Sequence, residues 1–390
     1  MVAEQRVPQD RAGEPQGTDS EPLGEEKIYV ASQWQLMWWR FRKHKPAMIA
    51  VVAIIILYGV AIFAEFFSMV EPEQTNVTRI LTSPTRIHFY DPEKGFSLRP
   101  FVYGIERDRD PVTLRYSYAE DRAVIYPLRF FVRGFEYKLW GLRRASLQSL
   151  HFMGFDVQGG EAYLFGTDRL GRDVYSRIVH SARISLSIGI VGVFLSLILG
   201  ILLGGMSGYF GGWVDLLIQR VIEFIRSIPT IPLWMALAAA VPQDWPPQRV
   251  YFSITILLSL IAWTGLARVV RGRFLSLREE DFVMAARLAG SNELRIILRH
   301  MVPSFLSHII ASITLSIPRM ILSETSLSFL GLGLRPPVIS WGVMLRDAQN
   351  VQAVSLSPWL LLPGLIIVIT VLAFNFMGDG LRDAADPYAR

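Results

Sequence analysis

The sequence predicts an all-α polytopic membrane protein with six transmembrane helices and a small β-rich insertion after the first of them. Of its 390 residues, 51% are hydrophobic, and the mean hydropathy is +0.33, at the upper edge of the range for soluble domains. The apolar residues are concentrated in runs of about twenty, the length that an α-helix needs to cross a hydrocarbon layer of about 30 Å. A long polar and aromatic stretch, residues 68–164, separates the first run from the others.

The apolar runs give the expected spans in chain order. They cover residues 46–67, 184–210, 214–241, 250–267, 305–334 and 359–377. The third run begins with charged residues, so its first half is expected to lie at the interface or inside a bundle. A cleaved signal peptide is a poor account of the first run, because residues 1–45 precede it and its apolar core is too long.

The distribution of Lys and Arg predicts that both termini are cytoplasmic. Residues 38–46, just before the first span, are strongly basic, whereas Glu65, Glu71 and Glu73 follow that span, and short basic flanks stay inside. Six spans then return the C-terminus to the cytoplasm. They also place 268–304, the most basic short loop, on the inner side.

The segments on either side of the first span differ in composition. Residues 1–27 are rich in Pro, Gly, Glu and Gln, which predicts a disordered cytoplasmic tail. Residues 28–45 are basic and rich in Trp, which predicts an amphipathic helix at the inner membrane surface, with packing on a soluble partner as the alternative. Residues 68–164 alternate β-branched and aromatic residues between Pro and Gly, which predicts short strands in an extracytoplasmic insertion.

Four glycines at the end of the second span predict a close contact between helices. Gly200, Gly204, Gly208 and Gly212 stand four residues apart and therefore share one helix face. Glycines at this spacing let a second helix approach closely in a membrane.

Charged residues inside the spans are candidates for the lining of a pathway or gate. They are Glu223, Arg226, Arg319 and Glu324. Charge in a membrane is costly, so such side chains usually face a partner or a water-filled cavity. For Glu223 and Arg226, pairing along one helix at its cytoplasmic end is the alternative.

No catalytic residue and no metal site is predicted. Asp168, Asp173 and His180 could be imagined as a metal or acid–base site, but the interleaved arginines favour a salt-bridged segment with a glycine turn. The chain has no cysteine, which excludes disulfides and thiolate chemistry, and it lacks the GxxxxGK[ST] pattern of a nucleotide-hydrolysing loop.

Residues 281–303 predict two short helices joined at a glycine, on the cytoplasmic side between two spans. Phe282 to Ala289 form the first, Gly290 ends it, and an amphipathic helix follows that ends before Pro303. An arginine-rich knob of this shape suits docking into a groove on a soluble partner. A basic loop that only fixes the topology is the alternative.

The spacing of this loop resembles the EAA loop of ABC-importer permeases. The pair Ala285 and Ala286, Gly290 four residues later, and Pro303 thirteen residues beyond carry the resemblance, although Met284 stands where that family has glutamate. Four further stretches, at 165–190, 208–232, 324–345 and 378–390, look like the dipeptide and oligopeptide permeases, specifically their C-type subunit.

This resemblance implies the type I importer-permease fold in the bacterial plasma (inner) membrane, and a set of partners. The ATPase-coupling residues would be Ala285, Ala286, Arg287, Gly290, Arg295, Arg299 and Pro303. The partners would be a second homologous permease, two cytoplasmic ABC ATPase subunits, an extracytoplasmic substrate-binding protein and membrane lipid, with no nucleic acid. ATP and Mg would be bound by the ATPase subunits, and this chain would bind no cofactor and catalyse no reaction.

The expected cargo is oligopeptides, with oligosaccharides or other small solutes as the alternative. The insertion at about 70–164 is longer than the corresponding segment of plain peptide permeases. It resembles a subgroup with enlarged external segments, some of whose members move oligosaccharides or other compounds. Two rivals from other classes are a membrane enzyme that uses the insertion as its catalytic domain, and a structural or receptor-like anchor.

Overall fold

The computed structural model describes residues 33–109, 111, 116–137, 149–155, 162–242 and 244–385. In chain order its α-helices are α1 (Gln33–Lys43), α2 (Lys45–Ile62), α3 (Ala64–Phe67), α4 (Val174–Phe210), α5 (Gly212–Ser227), α6 (Thr230–Ala239), α7 (Pro247–Leu277), α8 (Asp281–Leu288), α9 (Glu293–Arg295), α10 (Val302–Ser304), α11 (Leu306–Phe329), α12 (Trp341–Leu345), α13 (Val351–Leu356) and α14 (Leu362–Ala385). A π-helical turn, Ile296–Met301, joins α9 to α10, and short 3-10 turns at Arg346–Gln349 and Pro358–Leu361 precede α13 and α14.

The predicted tail 1–27 and the first residues of the 28–45 segment lie outside the described residues. The rest of that segment forms α1, with Arg40, Arg42 and Lys43 in its last turn. Its Phe41 is buried beside Ala47 of α2 and Ala384 of α14, so the helix is held against the bundle.

The predicted membrane fold is confirmed. Among the described residues, α2, α4, α7, α11 and the segment Pro358–Ala385 are long and apolar enough to cross a membrane. The pair α5 and α6 passes the same test together and makes a sixth span if it crosses as one unit, although its axes are bent by 89°. The predicted third span at 214–241 is therefore not one continuous helix. Pro229 cannot continue the hydrogen bonding of α5, and Ile228 before it is extended, with ψ of 132°.

Several helices differ in length from the predicted spans. The first span ends at Ile62 and α3 follows after Phe63, whereas α4 begins ten residues before 184 because Asp173 caps it at that point. At 37 residues α4 is about 55 Å long, so it projects well beyond the hydrocarbon layer. The fifth span ends at Phe329, and Gly331 follows with a φ of 80° that a helix cannot include.

The predicted β-rich insertion is a four-stranded antiparallel sheet in the order β1 (His88–Asp91), β2 (Gly95–Arg109), β3 (Tyr116–Arg133), β4 (Leu150–Phe155). Asp91 organises the turn between β1 and β2, since its side chain accepts hydrogen bonds from the N–H groups of Glu93 and Lys94 and from the Tyr103 hydroxyl.

The contact between α4 and α7 is the tight helix pair that the glycines predicted. A Cβ atom on Gly204 would lie 2.5 Å from the carbonyl oxygen of Ala267, and one on Gly208 would lie 2.7 Å from that of Arg271. Gly200 faces Leu266 in the same way. The prediction for Gly212 is wrong: nothing lies within 4 Å of it, and its φ of 53° shows that it makes the turn into α5 instead.

Candidate coupling loop and pathway face

The loop between α7 and α11 begins with α8, which ends in a left-handed glycine cap. Gly290 has a φ of 74°, and its N–H donates to the carbonyl of Arg287 at 2.9 Å. The N–H of Ser291 donates to the carbonyl of Ala286 at 3.1 Å. These two bonds satisfy carbonyls at the helix end and turn the chain sharply, so Gly290 acts as predicted.

The second half of the loop is one continuous helical segment from Glu293 to Ser304. The Asn292 side chain accepts a hydrogen bond from the Arg295 N–H at 2.9 Å, which starts the helix. The segment does not end before Pro303 as predicted. Its turns widen to a π-helix over Ile296–Met301, which accommodates a proline ring that would collide with the carbonyl one normal turn earlier.

One side of the loop is packed into the bundle. Val283, Ile296 and Met301 are almost completely buried, and they share a cluster with Phe274 of α7 and Tyr209 of α4. The loop is therefore a rigid knob fixed to the C-terminal ends of α4 and α7.

The other side of the knob is apolar and exposed. Leu288 is 90% exposed, and Leu294 is 59% exposed. Met284 and Leu298 extend this surface, at 52% and 48%. We call these four residues the knob face. Sequence reasoning missed them, although the spacing of four residues within each pair, 284 with 288 and 294 with 298, was a signal that they share helix faces.

The predicted coupling residues divide between the two sides. Ala285, Gly290, Arg295, Arg299 and Pro303 are exposed, whereas Ala286 is buried against the bundle. Arg287 is turned back to the chain: its guanidinium lies 4.9 Å from the centre of the Tyr209 ring, and its Nε donates to the Tyr209 hydroxyl at 3.2 Å. Arg287 therefore fastens the knob to α4.

The charged residues within spans also divide into two groups. Glu223 pairs with Arg220 at 2.7 Å on the exposed side of α5, so the predicted alternative partner Arg226 is wrong. Glu324 is fully buried and accepts hydrogen bonds from Ser328 at 2.7 Å and Ser340 at 2.8 Å. That carboxylate ties α11 to the start of α12 and does not face an open surface, which contradicts its prediction as pathway lining.

Arg319 is the residue of that set which does lie on an open face in the middle of a span. Arg319 is exposed on α11, and Ser312, Ser316 and Ser323 are partly exposed. Steps of four, three and four residues put all of them on one side of the helix. We call this surface the serine–arginine stripe. The Ser316 and Ser323 hydroxyls donate to carbonyls of their own helix, so the guanidinium of Arg319 is the group that is costly to expose to lipid.

The segment before α4 is the salt-bridged glycine turn that the sequence favours. Asp168 Oδ2 lies 2.7 Å from Arg172 Nε and 3.5 Å from Arg177 Nε. Asp173 instead accepts the Ser176 N–H at 2.8 Å, and burial raises the pKa of Asp173 to about 6. His180 bonds to Ser68. Throughout the described ranges, no group of three His, Cys, Asp or Glu is placed to hold a metal ion.

Five apolar helices and one bent pair, with a helix–turn–helix knob between the fourth and fifth apolar segments, define a polytopic membrane protein. Residues 197–390 match the family described as "Binding-protein-dependent transport system inner membrane component", and residues 32–84 match the "N-terminal TM domain of oligopeptide transport permease C". The chain therefore belongs to the ABC-importer permeases of the oligopeptide and dipeptide C type.

Relatives support this assignment along most of their lengths. The oligopeptide transport system permease protein OppC of Haemophilus influenzae is 43% identical over 58% of this chain and 71% of its own length. The dipeptide permease DppC of Alkalihalophilus pseudofirmus is 42% identical over 59% of this chain and 74% of its own length. A putative peptide permease of Brucella suis is 36% identical over 70% of this chain and 89% of its own length.

One solved structure, the inward-facing MetNI methionine ABC transporter, can be superposed on 53% of this chain and 95% of its own chain, with a TM-score of 0.42. The two sequences are 18% identical. The assignment rests on the sequence relatives. The chain is thus a multi-pass inner membrane transport subunit and not an enzyme.

Proposed function

We propose that this chain is one of two permease subunits that together form the pathway of a binding-protein-dependent importer for oligopeptides. The observation that carries the proposal is the knob, which is rigidly packed on one side and carries four exposed apolar side chains on the other. An exposed apolar surface of this kind marks a protein interface. It is occupied by one of two cytoplasmic ATPase subunits, which bind the ATP and Mg.

The coupling residues act in two ways in this proposal. Ala285, Gly290, Arg295 and Arg299 contact the ATPase beside the knob face, because all of them are exposed. Ala286 and Arg287 keep the knob attached to α4 and α7, through burial and through the contact with Tyr209. Met284 is exposed where the family has glutamate, so this position contributes an apolar contact and no ion pair.

The serine–arginine stripe lines the pathway between the two permeases. Its polarity and its position on α11 support this role, and a guanidinium in the middle of a span suits an anionic group such as a peptide carboxylate. Glu223 and Arg226 are both exposed on α5, and they form a second candidate lining.

The extracytoplasmic binding protein docks on the side that carries the sheet. A cavity of about 510 Å³ there is lined by Arg169, Arg172, Arg177, Arg346 and Asp347, among other residues. This excess of positive charge suits an acidic partner surface. The orientation in which this side is outside, with both chain termini in the cytoplasm, is supported by the basic last turn of α1 just before the first span.

The proposal is tested by reconstituting the chain with its candidate partner permease, ATPases and binding protein, and by comparing wild type with Gly290→Trp. A tryptophan at Gly290 is forced into a left-handed backbone and projects from the knob. Gly95→Trp is a matched control, since Gly95 has a φ of 77° against 74° and both glycines have nothing within 4 Å. We expect Gly290→Trp to lose ATPase binding and stimulated hydrolysis, while Gly95→Trp keeps them.

Two outcomes would contradict the proposal. If wild type binds no ATPase, or if both variants behave alike, the knob is not a coupling element. The cargo is decided in the same preparation by whether the binding protein stimulates hydrolysis with oligopeptides or with oligosaccharides. Peptides are expected, because the relatives described above are named for peptide transport.

A further inference from the structure

Five phenylalanines form a continuous cluster where the external sheet meets the end of the first span. Phe66 and Phe67 lie in α3, Phe130 and Phe131 in β3, and Phe152 in β4. The Phe152 ring is the centre of the cluster: ring centroids lie 5.3 Å from Phe67, 5.5 Å from Phe130 and 6.0 Å from Phe131. The cluster therefore joins two strands of the sheet to the short helix that follows the first span.

The backbone of β3 is distorted in a way that brings two of these rings to one side. Consecutive residues of a strand normally face opposite sides. Phe131 instead has a φ of 56°, in the left-handed region that a bulky residue rarely adopts. Both Phe130 and Phe131 contact the same ring, Phe152, and they remain 56% and 62% exposed. Strain that leaves two large apolar rings uncovered needs a ligand or a surface to explain it.

The position of the cluster along the first span identifies that surface. The 18 residues of α2 are about 27 Å long, which matches the hydrocarbon thickness, so residues just after Ile62 lie in the headgroup layer. Glu65 and Arg183 form a 2.6 Å ion pair at this level, as expected of a polar interface. Phe63, which is 47% exposed, continues the apolar surface from the span toward the cluster.

We propose that Phe130 and Phe131 insert into the interfacial layer of the membrane leaflet on the side of the sheet, and seat the insertion on lipid beside the first span. Segments that lie at a membrane surface bury Phe, Trp and Leu side chains at the boundary between headgroups and acyl chains. Phe66, Phe67 and Phe152 support the two exposed rings from behind. The exposed Arg133 that follows suits the phosphates of the same layer.

The test uses the assembled importer in nanodiscs and exploits the absence of cysteine from the sequence. Phe130→Cys, Phe131→Cys and the control Phe96→Cys are each labelled with an environment-sensitive fluorophore. Phe96 is 71% exposed on β2, near the opposite edge of the sheet. We expect lipids carrying a nitroxide near the top of the acyl chain to quench the first two labels at least threefold more than the control.

Three results would overturn the proposal. One is the absence of quenching at both phenylalanine positions. Another is equal quenching at all three, which would mean that the sheet lies flat without a specific anchor. The last is a blue-shifted but unquenched label, which would show that the partner permease or the binding protein covers the cluster.

A second variant separates membrane anchoring from folding. Phe131→Gly removes the ring and relieves the left-handed strain, so the midpoint of thermal unfolding in detergent should stay the same or rise. In nanodiscs, quenching of the label at Phe130→Cys in this background should fall to the level of the control. If unfolding shifts down by several degrees and quenching is unchanged, the ring serves internal packing and the proposal fails.

Discussion

Leu288→Gln should detach the ATPase from the knob without unfolding the chain. Leu288 ends α8 and is 90% exposed, so its replacement removes almost no contact within the subunit. Surface substitutions of this kind change the free energy of unfolding by less than about 0.5 kcal/mol. Burial of the same side chain in a partner groove is worth about 2 kcal/mol, so its loss weakens binding about thirtyfold per loop.

The assay is a titration of purified ATPase against the permease pair in nanodiscs, followed by hydrolysis with the binding protein present. Leu98→Gln is the control, since Leu98 is 89% exposed on the external sheet and suffers the same chemical change. In addition, a label on Leu288→Cys should be protected when the ATPase is bound. Affinity within twofold of wild type, or an equal loss in the control, would refute the knob face as the docking surface.

Three further substitutions test other parts of the molecule. Gly204→Ala should lower the midpoint of thermal unfolding, because the new Cβ lies 2.5 Å from the carbonyl oxygen of Ala267 and costs about 1–3 kcal/mol of strain. The control Gly272→Ala should leave the midpoint unchanged, since nothing lies within 4 Å of a Cβ at that position. Asp173→Asn should stabilise the protein at pH 7 by up to about 3 kcal/mol, and should not stabilise it at pH 4. The pKa of Asp173 is raised from 3.8 to about 6 in the folded protein, so the wild type loses stability as the pH rises from about 4 to about 6. Unfolding curves recorded at both pH values would show this difference. Arg319→Gln should reduce peptide uptake at least fivefold while ATPase binding stays at the wild-type level, and unchanged uptake would remove the serine–arginine stripe from the pathway.

The two faces of the knob show what the sequence could and could not predict about the site. Its helix–glycine–helix shape followed from Gly290 and the capping pattern, which are local. Which side faces outward did not follow, because Val283 and Ile296 on the inner side and Leu288 and Leu294 on the outer side are equally apolar. Only packing against α4 and α7 separates them, and that depends on contacts between residues far apart in sequence.

The intramembrane charges show the same limit. Arg319 and Glu324 are five residues apart in one span, and the cost of charge in a membrane applies to both. The Oε1 atom of Glu324 accepts hydrogen bonds from Ser328, one turn away, and from Ser340, which comes from a separate segment. Tertiary structure brings the second partner, Ser340, to Glu324. The sequence therefore could not distinguish the buried carboxylate of Glu324 from the exposed guanidinium of Arg319. The helix ends differ from the apolar runs for a related reason, since α4 begins before its apolar run and α7 continues past the end of its run.

The packing around the knob gives it the properties of a lever. Its buried side chains contact Phe274 near the C-terminal end of α7 and Tyr209 near the C-terminal end of α4. Farther along, Gly204 brings these two helices into backbone contact. Close-packed surfaces do not compress, so a force applied to the knob cannot be absorbed within the loop and is expected to move α4 and α7 as one body. The bent junction between α5 and α6 is the neighbouring place where the chain can yield, because the break at Pro229 leaves no continuous helical hydrogen bonding across it.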